Sequence, residues 1–145
     1  MALFGWLPAA SAVVVGADGV SLSGVVCKVG TGALLRAATE FEIPRIVLCA
    51  SSRLLPADYT LPPVLRVGEP EEIMPPARSV VVRNPYTELA PLDVVSHVIT
   101  EEGRLEVSAL RERLAALRVY PGLIGRPGGA TEEAPPARTT SDSHP

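Results

Sequence analysis

The chain has 145 residues, a length that suits one domain with a single core and leaves no room for two. Hydrophobic residues make up 47% and charged residues 20%, which excludes wholesale disorder. A formal charge of −3 with no basic stripe gives no basis for direct nucleic-acid binding.

The first eleven residues, "MALFGWLPAAS", form an apolar lead-in. No basic side chain precedes Lys28, and Gly5 and Pro8 interrupt the run, so it suits neither a secretion signal nor a membrane span. Ala12 to Val15 is short, β-branched and continuous, which predicts a strand buried on both faces of a parallel sheet. The stretch "GADGVSLSGVVCKVGTG" (16–32) follows, reads as a loop with five glycines, and contains the chain's only lysine, Lys28. A helix is predicted from Gly30 to Glu42, with Leu34, Leu35, Ala38 and Phe41 near one face. Pro44 ends it, and "RIVLCA" (45–50) predicts a second buried strand, completing a βαβ unit.

From Ser51 to Pro76 the six prolines predict a surface excursion, with at most a short extended piece at Val64–Val67. "SVVVRN" (79–84) reads as a third strand and "NPYTELAP" as a turn. Pro91 then starts a helix through Leu92, Val95, Val98 and Ile99 that stops at Gly103. A last helix, Val107–Arg118, aligns Leu110, Leu114 and Leu117. Residues 121–145 lack apolar periodicity and predict a disordered tail. The fold class is α/β: a small open parallel sheet with a βαβ core, occupying residues 12–120. So small a sheet leaves an edge and a face uncovered, so either a partner chain covers them or the chain is part of something longer.

A strand, a glycine-containing stretch and a helix opening at "KVGTG" make a candidate anion site. Lys28 supplies a charge, Thr31 a hydroxyl, and Asp18 stands where open α/β sheets place their ligands. The spacing matches neither GxxxxGK[ST] nor GxGxxG, and structural turns use the same residues. Cys27 reads either as a thiolate activated by Lys28 and the helix start, or as a small buried apolar side chain, which fits better without a nearby base. Cys49 reads as core, and His97 as a helix-edge residue. Two thiols without paired histidines make no metal site of standard spacing, no cofactor motif appears, and a reduced cytoplasmic protein fits this cysteine usage.

The segment "VVVGADGVSLSGVVCKVGTGALLRAATEFEIPRIVLCASSRLLP", followed by "NPYTELAPLDVVSHVITEEG", resembles the C-terminal Rossmann-like domain of the translation initiation factor 2B alpha/beta/delta family. That family includes methylthioribose-1-phosphate isomerase and ribose-1,5-bisphosphate isomerase. The resemblance implies that Asp18, in "GAD", occupies the catalytic-acid position of the isomerases. Cys27 and Lys28 then align with a substrate-contacting Asn-Lys pair that precedes Gly30 and Thr31. Arg53 aligns with a later substrate-binding lysine.

Three departures accompany the match: Cys27 loses an amide, Arg53 changes the cation's geometry, and Ala90 replaces a threonine expected to cap a helix. The family's catalytic cysteine belongs to the half of the fold that precedes this domain, a half expected to be missing here, and Cys27 does not correspond to it. The resemblance therefore implies a non-catalytic initiation factor 2B-like regulatory subunit or remnant, working in a homo- or hetero-oligomer and binding a sugar phosphate or nucleotide at the GAD/KVGT segment. The alternative is the C-terminal half of an aldose–ketose isomerase acting on a phosphorylated ribose derivative.

Overall fold

The structure is a computed structural model that describes residues 2–59, 67–75 and 79–119. A 3-10 helix, Ala2–Ala9, leads into β1 (Val13–Gly16). Two short strands follow, β2 (Gly19–Ser21) and β3 (Gly24–Lys28), and then α1 (Thr31–Thr39) and β4 (Arg45–Leu48). After 3-10 turns at Ser51–Arg53 and Pro70–Glu72 come β5 (Thr87–Ala90), a 3-10 turn at Leu92–Val94, β6 (His97–Thr100), β7 (Gly103–Glu106) and α2 (Val107–Ala116).

The continuous apolar runs pair as the sequence predicts. β1 lies parallel to β4, with Val15 beside Val47, and α1 connects them, giving the βαβ core. Leucine and alanine dominate α1, and Leu35 and Ala38 are fully buried on the face it turns inward. Val13, Val47 and Val98 from the sheet, Leu35 and Ala38 from α1, and Leu110 and Leu114 from α2 form one core. Phe41, placed on the helix by its spacing, lies beyond α1 and is exposed.

Four predicted elements differ, one of them the turn at 84–91, which contains β5. Residues 16–32 are not a loop: most of them fold into the β2–β3 hairpin, which pairs with β5 in a second, antiparallel sheet of order β2-β3-β5. Ser21 Oγ donates to the Gly24 carbonyl at 3.2 Å across the hairpin turn. Residues 79–84 form no strand; Val81 is 86% exposed. The position beside β4 belongs to β6, which was expected to be helical and instead runs parallel to β4. Its residues are β-branched, and Val98 and Thr100 are buried while His97 and Ile99 are only partly so, the period-two alternation of a strand. Gly103 therefore opens the returning strand β7 rather than stopping a helix. Ala90 ends β5, 1% exposed, and the short 3-10 turn that follows has Pro91, not Ala90, at its N-cap.

The four-stranded sheet has the order β1-β4-β6-β7, which makes β1 an edge among the described residues. Burial on both faces, predicted for this strand, does not hold. Val14 is 60% exposed and Leu48 53%, on the side away from the core. The predicted uncovered face is real. The proposed extended piece at 64–67 and the predicted tail at 121–145 lie largely or wholly outside the described residues.

Gly24 joins the two halves of the hairpin at φ +146°, where a Cβ would meet the Ala90 carbonyl oxygen at 2.4 Å. Gly24→Ala is expected to cost at least about 2 kcal/mol, from backbone strain and forced separation of β3 from β5. Leu35→Ala is expected to cost about 2–5 kcal/mol from the cavity it leaves. Urea unfolding midpoints check both; a Gly24→Ala variant as stable as the parent contradicts the hairpin.

Candidate functional site

At the carboxyl ends of the parallel strands β1 and β4 lies a cleft of about 390 Å³, lined by Val15, Gly16, Ala17, Asp18, Cys27, Lys28, Thr31 and Leu48. The fold brings these together because β1 delivers Asp18 while β3 returns to deliver Lys28. The Asp18 N–H donates to the Val26 carbonyl at 2.8 Å, fixing the start of the hairpin against its second strand. Lys28 Nζ then meets Asp18 Oδ2 at 3.0 Å. Both side chains are more than half exposed, and such a pair contributes only about 0–1 kcal/mol, so a stronger anion can compete for the ammonium.

Arg53, from the turn after β4, reaches the Asp18 carbonyl oxygen through Nη1 at 3.5 Å, a long contact that places a second cation at the rim. Gly30 holds φ +91° at the N-cap of α1, a left-handed conformation that glycine adopts without penalty. It lines a neighbouring apolar groove with Leu3, Phe4, Val29 and Leu34 rather than the cleft itself; Thr31 borders both. Asp18, Lys28, Thr31 and Arg53 thus converge, and Gly30 shapes the helix start beside them.

Cys27 is 1% exposed and its thiol donates to the Glu88 carbonyl at 3.8 Å. The Lys28 ammonium is exposed beside Asp18, whereas the Cys27 side chain is packed into the core. Burial pushes the Cys27 thiol above its ordinary range; a hydrogen bond from Thr31 opposes this, and the Glu88 and Asp18 carboxylates reinforce it. The thiol is held protonated, the reverse of an activated nucleophile. Cys49 is also a free thiol raised by burial, with Glu101 adding to the effect and Arg53 opposing it. His97 is on β6, not a helix, and its Nδ1 lies 3.4 Å from Glu106 across the β6–β7 pair. Among the described residues no group of three or more His, Cys, Asp and Glu side chains could hold a metal ion.

One residue at this site gave no signal in the sequence. Glu88 on β5 pairs with Cys27, and its Oε1 accepts the Gly32 N–H at 2.6 Å. A carboxylate of the chain itself therefore sits in the first turn of α1, where helix geometry favours negative charge. The pairing joins residues 56 apart, and "NPYTELAP" read as a turn placed Glu88 on no element. With that N–H taken, the side chains that can meet an incoming anion include Lys28 and Thr31 in the cleft and Arg53 beside Asp18.

Stability should fall as pH rises above the free thiol's usual pKa of about 8.5. The raised folded pKa values of Cys27 and Cys49 mean that the unfolded chain loses these protons first, so the contribution is whole below that pH and is lost above it. Denaturant melts from pH 7 to 10 should show this slope, and Cys27→Ala should reduce it; an identical slope in the variant excludes Cys27 as a source.

A model of the initiation factor 2 subunit family matches residues 1–107. Comparison with curated protein sequences gives no match. Among solved structures, the chain is similar to 5-methylthioribose 1-phosphate isomerase from Pyrococcus horikoshii OT3, at 24% identity and TM-score 0.66, covering 78% of this chain and 35% of that one. It is similar to translation initiation factor eIF-2B subunit delta from A. fulgidus, at 25% identity and TM-score 0.64, covering 72% of this chain and 33% of that one. It also matches the tetrameric eIF2B-beta2-delta2 complex from C. thermophilum, at 23% identity and TM-score 0.56, covering 78% and 33%. The chain spans about a third of the length of these structures.

Proposed function

The chain belongs to the initiation factor 2 subunit family, and from that premise we propose that it is a non-catalytic, cytoplasmic regulatory subunit of this family that holds a phosphorylated sugar or nucleotide in the Asp18–Lys28 cleft. The observation that carries this reading is the convergence of Lys28 and Arg53 on Asp18 at the carboxyl ends of a parallel sheet. Lys28 and Arg53 supply charge for a phosphate, the Thr31 hydroxyl a donor, and Asp18 an acceptor for sugar hydroxyls.

The same lining argues against turnover. Aldose–ketose isomerisation moves a proton between carbons and needs an acid and a base held on opposite sides of the substrate. Among the described residues Asp18 is the one carboxylate lining the cleft, and the Cys27 thiol is buried and held protonated. The uncovered apolar face around Val14 and Leu48 supports work within an oligomer, since such a face gains stability from a covering partner. A second reading, one half of a sugar-phosphate isomerase, draws support from Asp18 and Lys28 standing together at the positions that the family resemblance gives to the acid and a substrate contact.

Calorimetry with ribose 5-phosphate and with AMP is expected to show binding that Lys28→Ala weakens by about 10- to 100-fold, the loss of one charge-assisted hydrogen bond. The circular dichroism spectrum should stay unchanged, because the side chain is exposed. Equal affinity in the variant refutes the anion site. Incubation with methylthioribose 1-phosphate, followed by phosphorus NMR, is expected to show no ketose product; its appearance would favour the second reading.

A further inference from the structure

We propose that Glu101 is the positioning residue for Arg53, so that a side chain at the end of β6 controls the second cation of the ligand cleft. This rests on the reading above, in which Arg53 contacts the ligand's phosphate. Arg53 is exposed on a long flexible stem, so the direction of its guanidinium is decided by the backbone that carries it. That backbone is the three-residue 3-10 turn Ser51–Arg53.

Both ends of the turn are fastened. At its far end, Leu54 is 5% exposed and the Leu55 N–H donates to the Val20 carbonyl at 2.8 Å, tying the chain to the hairpin. At its near end the N-cap position is Ala50, which has no polar side chain to receive the free N–H groups. Glu101, fifty residues later, does this instead: its carboxylate accepts the Ser51 N–H at 2.8 Å and the Ser51 hydroxyl as well. Within the turn the Arg53 N–H donates to the Ala50 carbonyl at 2.9 Å and the Leu54 N–H to the Ser51 carbonyl at 3.0 Å. Arg53 Nη1 projects from this fastened turn onto the Asp18 carbonyl. The Ser51 hydroxyl, then the Ser51 N–H, hold the Glu101 carboxyl below its usual range, which keeps it ionised and able to accept both bonds.

Two measurements on the full chain test this. Native-state hydrogen exchange on Glu101→Ala should accelerate the Arg53 and Leu54 amides by at least about tenfold while leaving the core amide of Val47 unchanged. Glu101→Gln, which keeps an acceptor, should retain most of the protection. Unchanged exchange in Glu101→Ala overturns the proposal. In calorimetry with ribose 5-phosphate, Arg53→Ala should weaken binding about tenfold and Glu101→Ala about three- to fivefold. The double variant should be no weaker than Arg53→Ala alone, because Glu101 acts through Arg53. Additive losses show a separate structural role and overturn the proposal. An effect of Arg53→Ala that Glu101→Ala does not share overturns this proposal alone. No effect of Arg53→Ala removes the ligand role of Arg53 and this proposal with it.

Discussion

The hydrogen bond from the Gly32 N–H to the Glu88 carboxylate, 2.6 Å long, ties the two sheets together at the place where the cleft is built. α1 belongs to the parallel β1–α1–β4 unit, while Glu88 belongs to the antiparallel sheet. A carboxylate in the first turn of a helix answers an unpaired donor and complements the helix dipole. It can come this close because residue 32 has no side chain: a Cβ there would stand 3.2 Å from Glu88 Oε1 and 3.4 Å from the Ala90 Cβ. Once α1 is held against β5, the β3 strand running into it has a fixed end, and Lys28 is carried to Asp18.

That arrangement separates two kinds of group in one small cleft. Asp18, Lys28 and Arg53 face water, and Lys28 and Arg53 each contact Asp18 in a way that exchanges at little cost. Cys27, one residue from the lysine, faces the core, and burial dominates its chemistry. The cations are available to a ligand while the thiol is not available to react.

The same division runs through the fold at large. One face of the four-stranded sheet is closed by α1 and α2 around Val47, Val98, Leu110 and Leu114. The opposite face leaves Val14 and Leu48 in water, beside an edge strand whose residues would suit the interior of a larger sheet. The core is sufficient to fix α1, and through it the cleft, without any contribution from the outer face. Parallel sheets are ordinarily buried on both sides, whereas here Val14 and Leu48 stay exposed on one of them.

Local sequence was enough to determine β1, β4, α1 and α2. Continuous β-branched runs and leucines repeating at helical spacing favour strand and helix locally, although the run at 79–84 forms no strand. The order of "GAD", "KVGT", "NPYTE" and "ITEEG" also carried the family, because these segments keep their spacing along the chain. Only the tertiary structure decided the rest. "LDVVSHVIT" places apolar residues compatibly with either period, and the open side of β4 selected a strand at His97–Thr100. The glycines of 16–32 read locally as loop, yet β5, some sixty residues on, pairs with β3 and makes them a hairpin. Glu88 and Glu101 have partners more than fifty and fifty residues away respectively, distances at which no spacing rule operates. The positions of Asp18, Lys28 and Arg53 were therefore legible as residues, whereas the contacts that aim them were not, since strand pairing and packing alone create those contacts.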